Sequence, residues 1–234
     1  MINILIIFLS IIVVILLILI FFHQLSNFFE KIFFRFNVAR KVYKIAKDND
    51  YYLLNKVAIN VEGKIIHFDH LLFGDKYIYC IGVNYYPLAI NGKQNDKNWF
   101  RYKSNNKFVY IKNPMRLHRE RVNYFSSLIS SDSDLFVATI VINNSCLIDE
   151  KCNTKYDKII NLKNLENMVK NYEKNSNVEP IDPILLHQLV QDVYRNGIEK
   201  KSYLLLFYYK INMNNILFSF SFLFLIKRTM EDKL

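Results

Sequence analysis

The stretch IHFDHLLFGDKYIYCIGVNYY, residues 66–86, decides the fold of this chain. Two apolar runs stand on either side of Gly74-Asp75, a pair typical of a turn, so the stretch predicts a β-hairpin. Asp69 lies inside the first run. Burying a carboxylate costs free energy unless the group is paired or binds a metal, so the role of Asp69 is the first functional question.

The rest of the chain alternates between strand and helix patterns, which predicts an α/β domain with helices flanking a mixed sheet. Asn113 suits a helix N-cap with Pro114 at the first helical position, and Asp182-Pro183 and Gly197 bound another helix. The predicted strands are 57–61, 65–73, 77–83, 107–111, 135–142 and 158–162, and the helices after Pro114 are 163–174 and 183–196.

Composition limits the function classes only loosely. The chain has 234 residues, of which 52% are hydrophobic, and this is enough for one domain and a membrane segment. A net charge of +10 suits nucleic acid, an anionic lipid surface or topology signals alike. The three cysteines and five histidines lack CxxC and HExxH spacing, so we predict no metal site built from them.

The amino terminus predicts a membrane anchor. Residues 1–22 carry no charged side chain, and about 20 apolar residues suffice to cross a bilayer as a helix. The following residues are rich in Lys and Arg, which predicts a single-pass protein of the cell membrane with its amino terminus outside and its domain in the cytoplasm. A cleaved signal peptide is disfavoured because no basic n-region or small-residue cleavage site is present.

Three further segments complete the predicted organisation. Residues 23–49 form a basic amphipathic juxtamembrane helix, which either lies along the inner leaflet or is the first helix of the folded domain. Residues 176–201 are a helical extension, and 202–234 are a hydrophobic carboxy-terminal segment. Within that segment 203–226 is long enough to span, but the central Lys210 favours an interfacial or packed segment.

Four features in order give the chain a family resemblance. They are Asp69-His70 in an apolar strand, the Gly82-Val83-Asn84 triplet thirteen residues on, Trp99, and Asn113-Pro114 before a helix. Over about residues 50–175 the chain resembles the nuclease-related domain family, NERD, which is often found beside a transmembrane segment in bacteria. The resemblance implies a restriction-endonuclease-like mixed sheet flanked by helices.

The resemblance also implies a chemistry that this chain lacks the residues to support. The family carries Glu-x-Lys where this chain has Gly82 and Asn84, and its Asp and Glu would hold Mg²⁺ while the Lys assists the attacking water. The family's Gln after Asn-Pro is replaced by Leu117, and the acid of its first helix falls near Ala39. We therefore expect a degenerate site with no cofactor.

Asp69 is expected to be a relic or structural acid in that site, hydrogen-bonded with His70 or placed at the strand edge. The alternative is an active magnesium-dependent nuclease in which a displaced acid, Glu62 or Asp75, replaces the missing ligand.

A mixture of basic and aromatic residues predicts a candidate nucleic-acid surface, with a solvated basic face as its alternative. Its residues are Trp99, Lys103, Lys107, Lys112, Arg116 and Arg119, beside Phe100, Tyr102 and Tyr110. The expected function is a membrane-anchored domain that has lost hydrolysis and binds nucleic acid or an unknown protein partner. The alternatives are the active nuclease and a purely structural membrane protein.

Overall fold

The computed structural model of the chain describes residues 2–61, 63–103, 107–129, 133–149, 152–175 and 177–197. Over these residues the fold is mixed α/β, with two mixed sheets and four α-helices, consistent with a nuclease-like fold. The helices are α1 Ile2–Asn49, α2 Pro114–Leu128, α3 Leu165–Asn175 and α4 Pro183–Asn196. The strands are β1 Tyr52–Val61, β2 Lys64–Phe73, β3 Ile78–Asn84, β4 Ala89–Asn91, β5 Asn98–Tyr102, β6 Phe108–Lys112, β7 Phe136–Ile142, β8 Leu147–Ile148 and β9 Asp157–Asn161.

The predicted hairpin and helix starts are confirmed. Gly74 N donates to Tyr77 O at 2.9 Å and closes the turn between β2 and β3. The Asn113 side chain accepts from the first backbone N–H groups of α2, and Asp182 does the same for α4. β1 begins at Tyr52, earlier than the predicted residue 57, because its first residues pair with the end of β2.

The main sheet has the strand order β1-β2-β3-β7-β9. The first three strands are antiparallel, and β3, β7 and β9 run parallel. Every residue of β7 is buried, as expected for a parallel strand covered on both faces. One core cluster contains residues of α2 and α4, and the other contains residues of α1 and α3, so the sheet lies between two helical layers.

The smaller sheet has the order β6-β5-β4-β8 and lies at one end of the main sheet. β4 begins five residues after β3 ends, and β8 follows β7 after an equally short connection. Because β3 and β7 are parallel, both connections leave from the same end of the main sheet. Ile90 and Trp99 are buried in the core cluster, so one face of the smaller sheet faces the core.

Helix α1 continues without interruption to Asn49, and its last part packs on the main sheet. Val38, Val42 and Ile45 are buried in the cluster shared with α3, which favours the alternative that residues 34–46 belong to the folded domain. Further towards the amino terminus several apolar side chains are exposed, namely Phe28, Phe29, Ile32 and Phe33.

Within the part of the chain that the structure describes, no helix is long and apolar enough to cross a membrane. Most side chains of the predicted anchor, residues 1–22, lie outside that part, so the anchor stays a prediction from the sequence. The hydrophobic segment 202–234 also lies outside the described residues.

Candidate functional site

Asp69 lies where β2 and β3 separate. Their backbone pairing ends at His70 opposite Ile81, and beyond it Val83 N donates to Asp69 Oδ2 at 2.8 Å. Lys56 Nζ lies 3.5 Å from Asp69 Oδ1. The carboxylate thus takes the place of a main-chain acceptor at the end of the ladder and is balanced by one cation. This is a structural role at the strand edge.

The predicted hydrogen bond between Asp69 and His70 is wrong. His70 Nδ1 lies 2.6 Å from Asn55 Oδ1, the residue opposite it on β1. Asp69 instead accepts from Val83 N and Lys56 Nζ, so the two neighbouring side chains find different partners.

Both strands are distorted at the level of Asp69. Leu54 and Val57 face the same core cluster although they are three residues apart, and so do Phe68 and Leu71. The alternation of side chains between the two faces of the sheet therefore shifts by one residue in both β1 and β2. In β1 the shift occurs at Lys56, which has a φ of 56°. A non-glycine residue in that region costs free energy and often marks a specialised site.

Gly82 and Asn84 lie on the same face of β3, directed towards α2, and both are half-buried. A Cβ on Gly82 would lie 3.2 Å from His118 Cε1, closer than ordinary contact. His118 comes from α2, and its Nε2 lies 2.8 Å from Cys80 O. The imidazole thus lies over Gly82, in the direction that a longer side chain would take. Asn84 Nδ2 donates to Tyr86 Oη at 3.3 Å.

These residues do not fit a divalent cation. Asp69 is a single carboxylate already held by a backbone N–H and a Lys, Gly82 offers no ligand, and the Asn84 amide is engaged. Among the described residues no group of three or more His, Cys, Asp or Glu could hold a metal ion. Mg²⁺ takes oxygen ligands and usually one or two carboxylates, so this arrangement is a poor site for it.

The displaced-acid alternative loses one of its two candidates. Asp75 precedes β3, whereas Gly82 lies near the end of that strand, and even Ile78 and Gly82 are about 13 Å apart at ~3.3 Å per residue. Asp75 is therefore on the wrong end of the strand to replace the missing ligand, and that prediction is corrected. Glu62 lies outside the described residues.

Two buried histidines make stability depend on pH. Burial lowers the pKa of His70 and of His118 to about 4 each, so both are neutral in the folded protein at pH 7. In the unfolded chain both histidines bind a proton as the pH falls through 6.5, whereas in the folded protein they do so only near pH 4. The free energy of unfolding should therefore be highest above pH 6.5 and decrease between pH 6.5 and about 4. Urea unfolding at several pH values measures this slope.

A control distinguishes these histidines from other titrating groups. His118→Gln should remove part of the slope, while His67→Gln, at an exposed position, should leave it unchanged. A slope that is the same in the His118 variant would contradict the assignment.

Trp99 is a core residue, and its prediction as a base-stacking residue is wrong. Its side chain is fully buried, and its Nε1 donates to Lys93 O at 2.8 Å. Gly92 makes room for the ring, because a Cβ there would lie 2.2 Å from Trp99 Cδ1. Side chains alternate in β5, so Trp99 points inward and its neighbour Phe100 outward.

The side chain of Arg119 also makes its contacts within the domain. It forms a salt bridge with the buried Asp157 and donates to Tyr156 O. Gln94 Nε2 donates to the other Asp157 oxygen at 2.8 Å. These groups line a cavity of about 330 Å³ beside α2. Asp157 and Gln94 could not be identified from the sequence alone, because their hydrogen bond joins distant parts of the chain.

The other predicted basic residues are exposed, and they do not form one cluster with Trp99. Lys103 and Lys107 lie at the two ends of the β5–β6 connection. Lys112 ends β6, and Arg116 lies in the first turn of α2, where its Nε is 3.4 Å from Glu120 Oε1.

Four aromatic side chains cover the outer side of β5 and β6. Phe100 pairs with Tyr110 and Tyr102 with Phe108 across the strands, and the rings pack with centroids 4.9–6.4 Å apart. Phe108 is 50% exposed and Tyr110 67%. We call these four residues the aromatic face.

Comparison with known proteins gives one match. No curated protein and no solved structure matches the chain. The family model of the nuclease-related domain, NERD, matches residues 33–143, a range that includes the packed part of α1, Asp69, Gly82, Asn84 and Trp99. Residues 33–143 are therefore similar to the nuclease-related domain, NERD, the family that the resemblance of the sequence predicted.

Proposed function

We propose that this chain is a membrane-anchored nuclease-related domain, with a restriction-endonuclease-like fold, that does not hydrolyse phosphodiesters and acts by binding. The observation that carries the proposal is Gly82 beneath the His118 ring, at the position where the family has a Glu. One carboxylate ligand is missing there, and a neutral imidazole stands in the direction it would take.

The second loss concerns the attacking water. In the family a Lys near the metal assists the water, whereas Asn84 is neutral and its amide is turned to Tyr86. Lys56 is the cation closest to Asp69 in the ion pairs of the described residues, but it balances the carboxylate from the neighbouring strand. A positioned acid–base group contributes about 10² to 10⁴ in rate, so both losses together remove most of the expected catalysis.

The active-nuclease alternative keeps Glu62, which lies outside the described residues, as a candidate for the displaced acid. Digestion of DNA and RNA with Mg²⁺ tests the proposal: the expected result is no metal-dependent cleavage, and no difference between the parent chain and Asp69→Ala. A purely structural membrane protein would also fail to cleave, and it differs from the proposal in having no ligand.

Membrane anchoring is supported by the charge-free run of residues 1–22 and by the exposed apolar side chains that follow it on α1. We expect the full chain to stay with membranes after washing with alkaline carbonate, because a ~20-residue apolar helix inserts effectively irreversibly. Deleting residues 2–22 should move most of the protein to the wash. A full chain that the wash releases would contradict the anchor.

The topology of the anchor has its own consequence. The basic residues after the apolar run place the domain on the cytoplasmic side. A single Cys introduced at the exposed Lys107 should therefore react with a membrane-impermeant reagent only after the cells are opened, since the three native cysteines are buried. Labelling in intact cells would contradict this orientation.

Besides the membrane, nucleic acid is a candidate binding partner. It is favoured by the exposed side chains of Lys103, Lys107, Lys112 and Arg116. Binding through phosphate contacts weakens steeply with salt, so a salt series of DNA affinity tests it. The alternative partner is a protein.

A further inference from the structure

We infer that the outer side of the smaller sheet docks on an anionic lipid bilayer, on the side of the domain from which α1 emerges towards its amino terminus. The docking surface consists of the aromatic face with Leu88, Leu147, Lys103 and Lys107. The inference rests on the proposed membrane anchor and adds to it a second, reversible contact with the lipid.

The direction of α1 fixes which end of the domain faces the membrane. Near the carboxyl end of α1, Ala46 O accepts a hydrogen bond from Tyr51 N, next to the start of β1. Tyr52 is opposite Phe73, which leads into the turn before β3. At the other end, Glu30 accepts from Tyr85 Oη, and Tyr85 directly follows β3. Helix α1 therefore crosses the sheet, and its residues before Glu30 continue past the end of β3.

The smaller sheet lies at this same end. β4 follows Tyr85 by a short connection, and β8 leaves the parallel strand β7 at the same level. Leu147 N donates to Leu88 O at 2.8 Å, which joins the two connections. Leu147 is 74% exposed and Leu88 43%. Two large apolar side chains therefore stand in solvent next to the edge from which α1 emerges.

The chemistry of the surface suits a lipid interface. Phe, Tyr and Leu side chains enter the headgroup region, where aromatic rings concentrate in membrane proteins. Lys103 and Lys107 stand beside the aromatic face and would contact anionic headgroups. Single-stranded nucleic acid is less favoured, because Leu88 and Leu147 offer nothing to phosphate and Phe108 packs edge to face against both Phe100 and Tyr110.

The chain offers a matched control for the test. Ile184 is 71% exposed, close to the value for Leu147, but it lies at the start of α4. That end of α4 is next to Asp75, because Ile181 N donates to Asp75 O at 2.7 Å. Ile184 is therefore at the opposite end of the main sheet.

The experiment uses the full chain in vesicles that contain phosphatidylglycerol and a lipid with a nitroxide on its acyl chain. Leu147→Cys and Ile184→Cys each receive a thiol-reactive fluorophore, since the native cysteines are buried. The inference expects the label at position 147 to lose most of its fluorescence and the label at 184 to keep it. Lys103→Glu with Lys107→Glu should reduce the quenching at 147.

The outcomes separate the two proposals. If the labelled chain does not float with the vesicles, the membrane anchor fails. If it floats but the label at 147 is unquenched, or both labels are quenched equally, the docking surface is overturned. A spectral shift of the label at 147 with single-stranded oligonucleotide, without quenching by the nitroxide lipid, would assign the surface to nucleic acid instead.

Discussion

Trp99→Ala should lower the free energy of unfolding by about 3–5 kcal/mol, the range for truncating a large buried aromatic residue. The indole is fully buried, and it occupies the space that a side chain at Gly92 would need. The substitution would leave a cavity between the smaller sheet and the core, and it would also remove the hydrogen bond from Trp99 Nε1 to Lys93 O.

Tyr110→Ala is the matched control, because it truncates an aromatic residue on the opposite side of the same hairpin. Tyr110 is 67% exposed, so the expected change is within about 0.5 kcal/mol. Chemical unfolding followed by circular dichroism measures both variants. Equal losses in the two variants, or no loss for Trp99→Ala, would contradict the inward placement of Trp99.

Restoring the family residues should create a metal site. In the variant Gly82→Glu with Asn84→Lys, both new side chains would project from the same face of β3, near Asp69. We expect Mn²⁺ binding at least tenfold tighter than in the parent, a gain of about 1.4 kcal/mol or more. His118 must move for this, since a Cβ at position 82 meets its ring at 3.2 Å. Adding His118→Ala should therefore increase the gain.

The controls for the restored site separate its failure from unfolding. Circular dichroism first shows whether each variant is folded. If the triple variant with His118→Ala is unfolded, metal binding is measured on the double variant that keeps His118. Adding Asp69→Ala should then abolish the gain measured by calorimetry. A folded variant with no gain, or a gain that survives Asp69→Ala, would count against the alignment of Gly82 and Asn84 with the family's Glu and Lys.

Local patterns predicted much of the fold. The turn at Gly74, the caps at Asn113 and Asp182 and the apolar run of β7 each depend on neighbouring residues, and the structure confirms them. Their signals lie within a few residues of the feature itself. The spacing from Asp69 to Gly82 likewise predicted the family whose model matches residues 33–143.

Long-range features could not be predicted in the same way. The partners of Asp69 come from β1 and β3, and the shift of side-chain alternation at Lys56 breaks the period of two on which strand reading depends. The salt bridge of Arg119 with Asp157 joins residues with no local relation. The inward position of Trp99 could not be predicted either, because no strand was predicted over residues 98–102 and Trp99 is followed directly by a second aromatic residue, Phe100.

One measurement tests the central proposal most directly. Purified full-length chain is incubated with labelled single- and double-stranded DNA and with RNA, in Mg²⁺ and in Mn²⁺, beside the Asp69→Ala variant from the same preparation. The proposal predicts that neither protein cleaves above the level seen with a chelator, and that the two are indistinguishable. Robust metal-dependent cleavage by the parent chain that Asp69→Ala abolishes would contradict it and show that Asp69 serves a working site.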